Sequence, residues 1–193
     1  MKLLSMISGA LLLLLTTAGC EHAETAQAAV ESPPAPAVDA AERGRYLVTV
    51  AGCNGCHTPF RKGSAGPEPD MSRMLAGHPQ ELAMPAAPKT RGPWVWAGAA
   101  TNTAFAGPWG VSYASNLTPE ANTGLGIWTE DLFVKALRTG RHWGQARPIL
   151  PPMPWQNYAQ MTDEDLKAIY AYLRTIPPVV NSVPESMAAA PPS

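Results

Sequence analysis

Cys53, Cys56 and His57 stand in the run Cys53-Asn54-Gly55-Cys56-His57: two thiols two residues apart, with an imidazole directly after the second. That spacing suits covalent haem attachment. Each thiol adds to one vinyl group to give a thioether bond, and the adjacent imidazole lies beneath the iron as proximal ligand. Asn54 and Gly55 are compact spacers, and Gly55 lets the backbone turn tightly. A disulfide, half a zinc site or a thioredoxin-like dithiol would use the same pair. Zinc requires more Cys or His at matching spacing, and no second Cys-x-x-Cys occurs. The βαβ pattern that surrounds a thioredoxin-like pair is absent. None of these rivals requires a histidine directly after Cys56, so the motif is read as the site of one covalently attached haem c.

Iron in such a site has a second axial position. Pro148-Ile149-Leu150-Pro151-Pro152-Met153-Pro154-Trp155 sets a methionine between two prolines in an apolar loop. A thioether is soft and neutral and favours ferrous over ferric iron. The flanking prolines restrict the backbone and reduce the ordering needed to hold sulfur against metal. Methionine more commonly fills a gap in a core. Met71, Met74, Met84 and Met161 compete for the position, and His78 or His142 would give bis-histidine ligation. His142, in Gly140-Arg141-His142-Trp143-Gly144, is the strongest of these rivals. The expected ligands are His57 and Met153. Leu137, Leu150, Pro151, Trp155 and Tyr158 are candidates for an apolar wall around the iron. Arg141, Arg147, Asn116 and Trp155 are candidate donors to the haem propionates.

These residues need elements to hold them. Asp39 is a plausible N-cap for a helix over 40–51, which turns Ala40, Tyr46, Leu47, Val50 and Ala51 towards the core. Gly44 inside it costs about 1 kcal/mol against alanine, which a close crossing with another helix would justify. Gly52 ends the helix and delivers the chain to Cys53. Thr129 caps a second helix that ends at Gly140, with Leu132, Phe133, Ala136 and Leu137 on its apolar face. Thr162 opens a third, with Leu166, Ile169, Tyr170 and Leu173 at helical spacing, stopped by Pro177-Pro178.

Between the haem motif and the second helix, residues 61–114 are irregular and rich in Pro and Gly. A short helix over 70–75 capped by Asp70 is expected there, and residues 95–103 and 110–114 suit short extended segments. Trp94, Trp96, Phe105, Trp109 and Tyr113 are expected to pack this insertion onto the domain.

The amino terminus carries another message. Lys2 precedes an apolar run over 3–15, and Thr17-Ala18-Gly19 are small residues before Cys20. This reads as a signal peptide over 1–19, too short an apolar run for a comfortable membrane span. Gly19-Cys20 resembles a bacterial lipobox, which implies cleavage before Cys20 and lipidation there; ordinary cleavage nearby would leave Cys20 a free thiol. Residues 20–38, rich in Ala, Glu and Pro, read as a flexible tether, residues 39–180 as one domain, and 181–193 as a loose tail. A formal charge of -1 gives no reason to expect nucleic acid as a partner.

The stretch Glu42-Arg43-Gly44-Arg45-Tyr46-Leu47 running into CNGCH resembles the first helix of class I cytochromes c. The string NLTP…GLGIWTEDLFVKALRTG…LPPMPWQNYAQMTDEDLKAIYAYLRTIPP is similar to the haem domains of cytochrome c subunits of membrane-bound alcohol and gluconate dehydrogenases. The likeness covers residues 39–60 and 115–179; the 61–114 insertion lies outside it. It implies an all-α haem domain and a role as electron carrier rather than enzyme. Gly44 and Tyr46 would mark the helix crossing, with His57 and Met153 as axial ligands. The redox partner would be a dehydrogenase, an oxidase or another cytochrome, and the signal peptide and lipobox at 1–20 imply the periplasmic side of a bacterial membrane, held there by lipid. The alternative is a haem enzyme or gas sensor of peroxidase type, if Met153 is absent from the iron or displaced.

Overall fold

The computed structural model describes residues 39–90 and 92–189. The signal peptide over 1–19, the tether over 20–38 and lipidation at Cys20 fall outside the described residues.

Asp39 accepts a hydrogen bond from the Ala41 N–H (3.2 Å) and starts helix α1 (Ala40–Val50). Its buried face is Gly44, Leu47 and Val48, spaced i, i+3, i+4. Ala40, Tyr46 and Val50, expected to face inward, are exposed. Gly44 sets the face instead. A β-carbon there would lie 1.9 Å from the Ala168 carbonyl oxygen, so α1 crosses helix α5 (Asp163–Leu173) with backbone against backbone. Arg43 and Asp165 pair across the same crossing at 3.0 Å. Gly44→Ala is expected to cost about 1–3 kcal/mol as an overpacked contact. The denaturant midpoint of the haem-loaded protein measures it.

Gly52, with φ of 74°, turns the chain into the short helix α2 (Cys53–His57), so the haem motif is itself one helical turn. Hairpin β1 (Phe60–Lys62)/β2 (Pro67–Pro69) follows. Asp70 then caps a single 3-10 turn, Met71–Arg73, shorter than the helix expected over 70–75.

The all-α expectation requires correction. Strands β3 (Ala97–Gly98), β4 (Ala104–Gly107), β5 (Gly110–Tyr113) and β6 (Met187–Ala188) form an antiparallel sheet in the order β3-β4-β5-β6. Phe105, Val111 and Tyr113 suit a pleated, half-buried surface, and Gly107 pairs with Gly110 around a two-residue turn. The helical layer comprises α1, α2, α3 (Glu130–Thr139), α4 (Trp155–Tyr158) and α5. Thr129 and Thr162 cap α3 and α5 by accepting from Leu132 N–H (3.2 Å) and Asp165 N–H (3.1 Å). One core joins Leu47, Val48, Leu75, Leu125, Phe133, Leu137, Leu166, Ile169 and Leu173. Among the described residues no helix is long and apolar enough to cross a membrane.

Two further expectations change. Phe105 is buried and Trp96, though 45% exposed, lays its ring against it, whereas Trp94 is 75% exposed. The described part of the tail, 181–189, is not loose. Asn181 is fully buried; its amide donates to the carbonyls of Ala76 (2.6 Å) and His78 (2.9 Å) and accepts from Gln80 N–H (2.9 Å) and Arg73 (3.2 Å). One polar side chain and a two-residue strand order this segment, and neither gives a hydrophobic period. Asn181→Ala would strand buried carbonyls, each worth about 1–3 kcal/mol. The expected result is a thermal midpoint well below wild type, in a protein whose absorption spectrum is unchanged.

Candidate haem site

Helix α2, helix α3, the 148–154 loop and strands β4 and β5 enclose a cavity of about 810 Å³. Cys53, Cys56 and His57 line it from the motif side, Phe133 and Leu137 from α3, and Leu150, Pro151 and Met153 from the proline-rich loop. A smaller cavity of about 70 Å³ shares Cys53, His57, Phe133, Leu137, Met153 and Tyr158. The volume and the mainly apolar walls with a few convergent polar groups suit a bound cofactor.

His57 is buried, and its Nδ1 lies 2.8 Å from the Ser115 carbonyl oxygen. A carbonyl only accepts, so Nδ1 carries the proton and Nε2 keeps a free lone pair. Burial pulls the imidazole below its usual pKa, with the Ser115 bond opposing. Neutral imidazole is the form that ligates a metal.

The thiols of Cys53 and Cys56 are both free, so no disulfide joins them. Burial pushes Cys53 up to about 11, and Cys56 is raised for the same reason. A reactive redox dithiol needs the opposite, a depressed thiol pKa. Among the described residues no group of three or more His, Cys, Asp or Glu converges as a metal cluster, so a zinc reading finds no ligand set. The thiols, the oriented imidazole and the apolar walls fit covalently bound haem.

The motif is held from several sides. Thr58 donates to Asn54 Oδ1 (2.8 Å) and accepts from Leu75 N–H (2.9 Å). Asn102, in the left-handed region at φ of 53°, donates to the Gly55 carbonyl (2.5 Å). Gly77 N–H donates to the His57 carbonyl (2.7 Å). Tyr158 Oη donates to the Ala51 carbonyl (2.9 Å); burial, aided by the neighbouring thiols, raises its pKa to about 12. The insertion therefore grips the motif. The supporting contacts of Thr58, Asn102 and Ser115 escape sequence reasoning, because most have a backbone N–H or carbonyl on one side, which carries no residue signature.

The candidate second ligands separate by position. His78 is buried, with Nδ1 bonded to Thr103 Oγ1 (2.9 Å) and Nε2 to the Leu82 carbonyl (3.1 Å); it lies off the cavity wall. Met71 is exposed, and Met74 and Met161 pack on the core. None of Met71, Met74, Met84 or Met161 lines the cavity, whereas Met153 does. His142 also lines it, its ring edge-on to Trp128 at 5.1 Å. Of the candidate propionate donors, Arg147 and Asn116 reach the wall, while Arg141 and Trp155 do not. Asn116 is committed elsewhere: its Oδ1 accepts from Thr118 and its Nδ2 donates to the Val179 carbonyl (2.8 Å). The tail contributes Ser182 to Ser186, including Glu185, to the wall.

A family model described as Cytochrome c matches residues 41–177. The fructose dehydrogenase cytochrome subunit of Gluconobacter japonicus is 33% identical over 133 residues, covering 69% of this chain and 20% of that protein. The gluconate 2-dehydrogenase cytochrome c subunit of Pantoea cypripedii is 29% identical over 146 residues, 75% of this chain and 25% of its own length. The cytochrome c subunit of alcohol dehydrogenase (quinone) from Gluconobacter oxydans is 26% identical over 166 residues, 86% of this chain and 25% of its own. The match thus spans only a fifth to a quarter of these relatives.

Proposed function

The chain belongs to the cytochrome c family, and from that premise we propose that it is a single-haem electron carrier with His57 and Met153 as the two axial ligands. One observation carries the reading. Cys53, Cys56, His57 and Met153 line a single cavity, and no other methionine of the described residues does. Covalently bound haem would supply a one-electron Fe(III)/Fe(II) couple there. Cys53 and Cys56 would hold the group, and Ser115 fixes the His57 tautomer that leaves Nε2 free to ligate. Leu137, Leu150 and Pro151 exclude water, which disfavours the extra charge of the ferric state and raises the potential. His57 and Met153 together would leave no coordination site for oxygen or peroxide, which suits a group that carries electrons without making bonds.

Ferric haem with a Met ligand shows a weak absorption band towards the red, and wild-type protein and His142→Ala are both expected to show it. Absence of the band from wild-type protein, with a ligand field that changes in His142→Ala, would transfer the ligand role to His142. Carbon monoxide binding by unmodified ferrous protein would support the haem-enzyme reading instead.

The carrier works on the periplasmic side of a bacterial membrane, exported by residues 1–19 and anchored through Cys20, with the 20–38 tether giving reach. Its donor is a dehydrogenase of the kind named for its relatives, or its acceptor an oxidase or second cytochrome. Cys20→Ser is expected to shift haem-staining protein from the membrane to the soluble periplasmic fraction. Unchanged fractionation would remove the anchor from the proposal.

A further inference from the structure

Residues 92–119 contain no Asp, Glu, Lys, Arg or His. Most of this stretch forms β3, β4 and β5 and the turns between them, with β3 as the outer strand of the sheet. At this edge stand Trp94 (75% exposed), Val95 (59%) and Trp96 (45%). An apolar patch with two exposed tryptophans, just before an outer strand of the sheet, is a surface suited to being covered. It also leads inward. The Trp96 ring meets Phe105 edge-on, with centroids 5.8 Å apart and planes at 74°. Phe105 lines the haem cavity. Two aromatic side chains thus join solvent to the cavity wall in continuous contact.

We propose that this edge is where the protein docks an electron-transfer protein whose contact face is itself uncharged and apolar, and that Trp96 and Phe105 are the packed path between the two redox centres. The inference rests on the electron-carrier reading. The chemistry of the occupant follows from the patch: charged groups seated on Trp94, Val95 and Trp96 would be desolvated and unpaired there. A lipid surface would gain nothing from an aromatic contact leading to the cavity. Tunnelling weakens steeply with distance and with each gap between packed atoms, so a docking face in contact with the cavity wall is the productive one.

A second copy of the chain presents such a face, and a formal charge of -1 on each copy gives little repulsion. Electron self-exchange between ferrous and ferric copies of the haem-loaded full chain, read by NMR line broadening, is therefore the probe. In Trp94→Ala/Trp96→Ala the self-exchange rate is expected to fall by about tenfold or more, as removal of buried tryptophan anchors does. Midpoint potential and reduction by ascorbate, which reaches the haem without docking, should not change. Trp96→Phe, which keeps an aromatic ring on Phe105, should recover most of the rate. The wild-type rate should depend little on salt. An unchanged self-exchange rate in the double variant overturns the proposal. So does co-sedimentation of the wild type, but not the variant, with phosphatidylcholine vesicles, which would assign the face to lipid. If wild-type protein neither accepts an electron from ascorbate nor returns it to ferricyanide, the carrier reading fails rather than the docking face.

Discussion

Met153→Ala is expected to leave haem covalently bound, abolish the weak red band of the ferric protein and lower the midpoint potential. The sign follows from the ligand. Thioether sulfur donates weakly and stabilises ferrous iron; water or hydroxide in its place stabilises ferric iron. Each tenfold loss of ferrous preference moves a one-electron couple by about 59 mV. The same change opens an axial position, so ferrous Met153→Ala should bind carbon monoxide while wild type does not. Spectroelectrochemistry on the two proteins reads all three effects. If the red band and the potential survive the substitution, Met153 is a wall residue and another methionine supplies the sulfur; if wild type shows no band, His142 becomes the ligand to test. His142 lies on the same wall, and its ring meets Trp128 and Trp143 edge-on with no hydrogen bond among the described residues, so it has a lone pair to offer.

How legible this was depended on where the information lies in the chain. The haem motif is local: five consecutive residues specify attachment and one ligand, and they fold as one helical turn. Caps are local too, and Asp39, Thr129 and Thr162 all cap the helices that their positions suggest. Gly44 was readable as a close crossing, yet its partner, the Ala168 carbonyl, is more than a hundred residues away. The face of α1 was misread for a related reason. Hydrophobic periodicity gives weight to Tyr46 and Val50, whereas a glycine contributes nothing to a hydrophobic pattern and here decides the packing. The sheet was faint because its strands are two to four residues long, too short for period-two alternation to register. Its last strand comes from the tail, brought back by Asn181. The candidate site is legible in its residue types and obscure in its support: Cys53, Cys56, His57 and Met153 are candidates from type and spacing and line one cavity, whereas the carbonyl of Ser115 and the amide of Asn102 are nameable only from geometry.

Cys53→Ala/Cys56→Ala is expected to have the largest effect on the molecule as a whole: haem lost on acid-acetone extraction and a folded state that does not persist at ordinary temperature. The thioethers are only part of the reason. Leu125, Phe133 and Leu137 belong both to the hydrophobic core and to the cavity wall, so the group bound there is core material. The cavity of about 810 Å³ is open to solvent on one side, so without its occupant these apolar walls face water or close on one another. The chain without haem must therefore collapse or admit water, and either response loosens α3 and the Met153 loop. Circular dichroism during heating should show a broad, early loss of helix in the double variant. Cys53→Ala alone should fall between, retaining extraction-resistant haem through Cys56 with a lower midpoint. A double variant that melts like wild type would show that the fold does not need the group, and would return the thiols to the dithiol reading.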